Sequence, residues 1–299
     1  GCPGPIAVPL DDNITLIIMD SEWWVFPYAK PGAESDCDCK NKEEVVAAIA
    51  DLVSRNRNKL IIFATHHPFR SYGIHGGYYT IKQHIFPLTD LKRNLYVPLP
   101  VIGSIYPIAR GVFGTPEDLP HPLYQQMVKE VEDVLKENGP AIFVSGHDHS
   151  LQFIQDDNNH YIVSGSGSKD TRVKKGAKSL FASQLNGFTV LEEMEDSTVR
   201  VQFFAGDNLQ QPLFSKNLLR IPDLVRQQNT GFASAGSLPA YVKMRPDSQY
   251  NRVGHFHRFL LGDNYRSVWD APVNFPVLDL QKEKGGFKIL QRGGGQQTR

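Results

Sequence analysis

The chain has no apolar run near the ~20 residues that a membrane helix needs. Its longest runs, such as residues 16–19 and 60–64, have the length of buried strands. It has no excess charge of either sign: 32 Lys and Arg stand against 32 Asp and Glu. Nothing in that balance favours a nucleic acid or an acidic surface as partner. No internal repeat is visible. Cysteine is scarce, at three residues. Cys37 and Cys39 are too close to bridge each other without strain. One of them could bridge to Cys2; the alternative is free thiols in a loop. A bridge would imply an oxidising compartment. No signal peptide opens the chain, and that absence carries little weight, because the sequence starts Gly-Cys-Pro-Gly-Pro without Met and stops at Gln-Gln-Thr-Arg. Both ends are expected to be cuts.

What is present describes a folded protein. Of the 299 residues, 40% are hydrophobic and 21% charged, enough for a substantial core in one or two domains. Residues 13–19 read as a buried strand with Asp20 at its carboxyl end. Residues 41–56 have helical spacing (Val45, Val46, Ile49, Leu52, Val53) behind an Asn cap and early acids. Residues 59–64 form the next buried strand. Strand, helix, strand with buried strands predicts an α/β layered domain. Residues 67–120 are loop-rich, and a stretch that long is usually functional or an insertion. A second amphipathic helix is expected over 122–138 and a third buried strand over 141–145. Shorter β segments follow at 151–155, 159–164, 187–192 and 198–205. Composition shifts near residue 206, residues 226–240 read as a linker, and residues 254–290 regain β patterning. The expected division is 1–205 for the main domain and 206–299 for a linker and the start of a following region.

The chemistry concentrates in two places. Gly146-His147-Asp148-His149 directly follows a buried strand. Two His at i and i+2 in extended chain point to one side, and at a strand's carboxyl end they face the crevice where open α/β sheets bind ligands. Imidazoles suit iron, zinc or manganese-type ions. Thr65-His66-His67-Pro68 ends another buried strand in the same way. Either motif alone has an ordinary explanation, since His pairs occur by chance. Their joint placement at matching strand ends is far more specific.

This pattern resembles the calcineurin-like metallophosphoesterases, including purple acid phosphatases. The likeness covers residues 1–205 or so, as the C-terminal part of the domain. It implies a four-layer α/β/β/α sandwich with two metal ions, of iron, zinc or manganese, and a phosphate ester as substrate. It implies His66 and His147 as ligands of one ion and His149 of the other. It implies that His75, nine residues after His66, contacts the phosphate or protonates the leaving group; a loop-surface histidine is the alternative. His67 is expected to be a loop or supporting residue. His84, His121, His160, His255 and His257 match no family block. Cys2-Pro-Gly-Pro, Met19-Asp-Ser-Glu-Trp-Trp and Pro68-Phe-Arg-Ser resemble, more narrowly, large secreted or outer-membrane-associated metallophosphatases of Bacteroidetes. That implies an extracytoplasmic place, with membrane association through regions outside this chain.

The family's opening metal-binding blocks, Asp-x-His, Gly-Asp-x-x-Asp and Gly-Asn-His, do not occur in the sequence. Three neutral imidazoles cannot offset the repulsion of two dications ~3.5–4 Å apart. Asp20 and Asp148 are poor stand-ins: the first has a structural counterpart in the family, and the second is the variable position between two ligands. The expectation is that this chain alone binds at most one metal ion, weakly, and does not turn over phosphate esters, while its parent is a hydrolase. The competing reading is a non-catalytic envelope binding or structural module with a degenerate phosphatase-like domain. A mononuclear His-metal protein of unrelated fold is a third reading, and it ignores the strand-end placement.

Overall fold

The computed structural model describes residues 1–27, 30, 34–79, 81–89, 94–99, 101–105, 108, 110, 114–136, 139–223, 277–283 and 286–292. The linker expected over 226–240, and residues 254–276, lie outside these.

The order of elements is that of an α/β fold. Strand β1 (Ile6–Pro9) leads into β2 (Ile14–Ile18). Helices α1 (Ser21–Val25) and α2 (Lys42–Arg55) precede β3 (Leu60–Ala64). After the loop-rich stretch, which contains the short helix α3 (Ile81–Ile85), come α4 (Pro122–Lys136) and β4 (Ile142–Ser145). The remaining strands are β5 (Leu151–Asp156), β6 (Asn159–Ser164), β7 (Ser179–Ser183), β8 (Gly187–Glu193), β9 (Thr198–Ala205), β10 (Phe214–Arg220), β11 (Val277–Glu283) and β12 (Gly286–Arg292).

Seven strands form one mixed sheet in the order β1-β2-β3-β4-β6-β5-β7. Its centre, β2, β3, β4 and β6, is parallel. A second sheet of five strands runs β10-β9-β8-β12-β11 and is antiparallel throughout. It therefore draws strands from both sides of residue 206.

Alternation along the central strands explains the layering. Ile61, Phe63 and Phe143 point to a core shared with Val45, Ile49 and Val53 of α2 and with Tyr124, Met127, Val131 and Leu135 of α4. Leu60, Ile62 and Ile142 point the other way, onto Leu191, Val201 and Phe203 of the second sheet. These strands are buried on both faces, which is why they read as unbroken apolar runs. The described residues thus form three layers, helices on sheet on sheet.

Helix α2 starts where the sequence says it should. The Asn41 side chain accepts from the Glu44 N–H at 2.8 Å, and Glu44 in turn accepts from the Lys40 N–H at 2.6 Å. The loop-rich stretch exposes Ile81, Val101, Ile102 and Ile105.

Cys2 bridges Cys37, across 35 residues of chain. Cys39 is left as a buried thiol, and burial pushes it up to about 11. Closing a loop of this length predicts that Cys2→Ser loses about 2–4 kcal/mol, measured by urea unfolding of oxidised wild type against the variant.

His160 lies between the sheets, stacked on Phe153, and burial pulls it down to about 4. An unfolded histidine titrates near ~6.5, so below that pH the unfolded chain takes up a proton that the folded chain refuses. The sign is therefore a loss of stability as pH falls from ~6.5 toward about 4. His160→Leu should lower the slope of stability against pH in that window by up to ~1.4 kcal/mol per unit. An unchanged slope in pH-dependent unfolding would count against this burial.

Candidate metal centre

Parallel pairing puts the carboxyl ends of β2, β3 and β4 on one edge. The backbone continues the ladder past the strands: Met19 N–H donates to Ala64 at 3.0 Å, Thr65 to Val144 at 3.1 Å, and Gly146 to His66 at 3.0 Å. Asp20-Ser21-Glu22, Thr65-His66-His67 and Gly146-His147 therefore leave the sheet side by side.

The imidazoles meet there. His66 Nε2 lies 3.0 Å from His147 Nδ1. The His147 ring is 4.3 Å from that of His67 and 3.9 Å from that of His75, centroid to centroid. His147 has φ of 60°, the left-handed region that a Cβ-bearing residue enters only when its surroundings hold it.

The network assigns the protons. His147 Nε2 lies 2.8 Å from the Glu117 carbonyl, which can only accept. Nε2 therefore carries the hydrogen, Nδ1 is the lone-pair nitrogen, and His66 Nε2–H donates to it. Burial holds His66, His67 and His147 below the usual histidine range, and the neighbouring rings add to this. All three stay neutral.

His75 is set by two carboxylates. It sits on a single turn, Ile74–Gly76, and its Nδ1–H donates to Asp118 at 2.9 Å. Asp118 is buried and also accepts from Arg110 and Thr115, which holds its carboxyl well below the ordinary range. Asp148 anchors the other side. It is fully buried, accepts from the Ser71 hydroxyl, and accepts from the His75 N–H at 3.2 Å. A side chain at Gly73 would meet this carboxylate at 2.5 Å, and one at Gly165 would meet the Asp148 carbonyl at 2.2 Å. Both glycines are there for close approach.

Of the residues singled out from sequence, His66, His147 and His75 come together. His149 is half-buried, feels Lys169 and His75, and has its carbonyl tied to Thr171 at 2.7 Å. Among the described residues the groups whose ligand atoms converge are His66–His67–His147 and Glu22–His67–Glu117, and His149 is in neither. Sequence reasoning set His67 aside, yet it belongs to both groups. It also missed Glu22, Glu117 and Asp118. The one local signal for the last two is the acidic pair in Thr115-Pro-Glu-Asp-Leu-Pro, just before α4.

Ser21, His67 and Glu117 form a hydrogen-bonded chain, at 2.9 Å and 3.2 Å. Its connectivity is that of a nucleophile, base and acid. Ser21 is wholly buried, so no substrate reaches it, and the chain orients His67.

The donor set fits a transition-metal ion. With the His66 proton moved to its Nδ1, His66 Nε2 and His147 Nδ1, 3.0 Å apart, would both offer lone pairs to one ion at ~2.1 Å. A His that donates its other N–H to a carbonyl has the support that ligating histidines have.

No protein-family model matches the sequence, and no curated protein does. Among solved structures, the chain is similar to GAP50, titled the anchor in the inner membrane complex of Plasmodium, at 17% identity and TM-score 0.40, covering 80% of this chain and 63% of that one. It is similar to purple acid phosphatase PPD1 from yellow lupin (Lupinus luteus) seeds, at 14% identity and TM-score 0.42, covering 79% and 36%. It is similar to PhoD, at 8% identity and TM-score 0.43, covering 77% and 49%. The chain thus spans less than two thirds of each of these structures.

Asp118 accepts hydrogen bonds from His75, Arg110 and Thr115 while itself buried. Asp118→Ala should therefore cost about 1.5–3 kcal/mol, read by thermal or urea unfolding; a change under about 1 kcal/mol would show that Asp118 is not the anchor of this loop.

Proposed function

We propose that this edge of the sheet is the imidazole side of a metal-dependent phosphoesterase centre, hydrolysing phosphate mono- or diesters in the complete protein. The observation that carries the reading is the His66–His147 pair, 3.0 Å apart at the ends of adjacent parallel strands. His66 and His147 would hold one ion, of iron, zinc or manganese, and His149 would serve a second. When bound, the ions supply charge stabilisation to the phosphoryl oxygens and activate water.

The chain's own residues do the rest. His147 keeps Nδ1 aimed because its Nε2–H is fixed on the Glu117 carbonyl. His75 is a positioned proton carrier: Nδ1–H stays on Asp118, which leaves Nε2 to hold a proton or pass it to a leaving oxygen. Asp148 positions His75 through the backbone. The Cys2–Cys37 bridge supports an extracytoplasmic location. Among the described residues no helix is long and apolar enough to cross a membrane.

The imidazoles also satisfy one another without an ion, and this favours a second reading, a non-catalytic binding or structural module. Hydrolysis separates the two. In the full natural form of the protein, aryl phosphate turnover should need metal and fall by a factor of about 10² or more in His66→Ala or His147→Ala. A full-length protein that neither retains metal nor hydrolyses the ester would overturn the enzyme reading.

A further inference from the structure

Two carboxylates converge on one buried imidazole nitrogen beside the histidine pair. Glu22 lies in the first turn of α1, straight after β2, and Glu117 lies in the turn before α4. Glu117 Oε2 is 3.2 Å from His67 Nε2, and Glu22 Oε2 is 3.7 Å from the same nitrogen. The three ligand atoms lie within 4.8 Å of one another.

We propose that Glu22, His67 and Glu117 form a binding site for a divalent first-row cation, distinct from the His66–His147 pair.

A hydrogen bond from His67 Nε2–H explains Glu117 alone. It does not explain why a second carboxylate turns to the same nitrogen from beyond hydrogen-bond length. A cation accounts for both, because it offsets their mutual repulsion. The basic group that acts on Glu22, Lys30, has its ammonium over the Trp23 ring, 5.1 Å from the centroid.

The imidazole is built to present Nε2. Its side chain is wholly buried, and it lies edge-on to Tyr124 at 5.3 Å, so it cannot swing away. Behind it, Ser21 Oγ lies 2.9 Å from Nδ1. A hydroxyl donates or accepts as needed. It can therefore accept from Nδ1–H when Nε2 offers its lone pair, as the supporting partner of a metal-bound histidine does. The carboxylates are 47% and 44% exposed, which gives an ion an entry path and room for water ligands. Two carboxylates and one imidazole suit Mn²⁺ or Zn²⁺ better than a soft ion.

This inference deepens the metal reading of the edge but uses neither His66 nor His147, so the two fail separately. Mn²⁺ is the probe, added to the chelator-stripped chain and counted by loss of its free electron paramagnetic resonance signal. Glu22→Gln and Glu117→Gln should each weaken Mn²⁺ binding by about tenfold or more, and Glu43→Gln, at an exposed carboxylate on α2 away from this edge, should leave it unchanged. The Gln side chains keep the shape, and unfolding of the ion-free variants separates lost fold from lost ligand. In the unmutated chain, Mn²⁺ should selectively broaden the His67 imidazole resonances. Wild type that retains no Mn²⁺, Glu22→Gln and Glu117→Gln variants that bind as wild type does, or binding weakened as much by Glu43→Gln would each overturn the proposal.

Discussion

The candidate site depends on the parallel pairing of β3 with β4. Ile62, Phe63 and Ala64 stand opposite Ile142, Phe143 and Val144. That register puts His66 and His147 level, because each follows its strand by a similar number of residues. Side chains alternate along a strand, so a slip by one residue would reverse every side chain between the two cores. The apolar pattern therefore holds the register, and the register holds the histidines. Packing energy spent on Phe63 and Phe143, far from any chemistry, decides whether two imidazoles are 3.0 Å apart.

Around that edge the electrostatics divide into two regimes. His66, His67 and His147 are buried and neutral, each ring leaning on the next. His75 lies on the other side of His147 and is held by a carboxylate saturated with donors. Neutral imidazoles are ready to offer lone pairs, whereas an imidazole hydrogen-bonded to a fixed carboxylate is ready to manage a proton. His147, with its left-handed backbone, stands at the boundary between the two.

Much of the framework was legible in the chain itself. The apolar runs over 13–19, 59–64 and 141–145 read as buried strands, and strands stand there at Ile14–Ile18, Leu60–Ala64 and Ile142–Ser145; Asn41 with the early acids marked the start of α2. Gly-His-x-His and His-His-Pro marked the edge. Spacing could not say which histidines converge. His66 and His147 come within 3.0 Å of each other, while His149 lies outside that group. His67 reads from sequence as a loop or supporting residue, and it faces Glu22 and Glu117, which are 45 and 50 residues away in sequence. Asp148 looked like a spacer because its role is to grip a loop that starts at Ser71.

The sequence by itself determined the α/β class, the buried strands, and the presence of imidazoles at two strand ends. These follow from local periodicity, which is written into neighbouring residues. Only the tertiary structure decided that Cys37 rather than Cys39 meets Cys2, that Asp118 and Asp148 hold His75, and that Glu22 and Glu117 close on His67. Those are contacts between distant segments, set by how layers pack, and no local pattern records them.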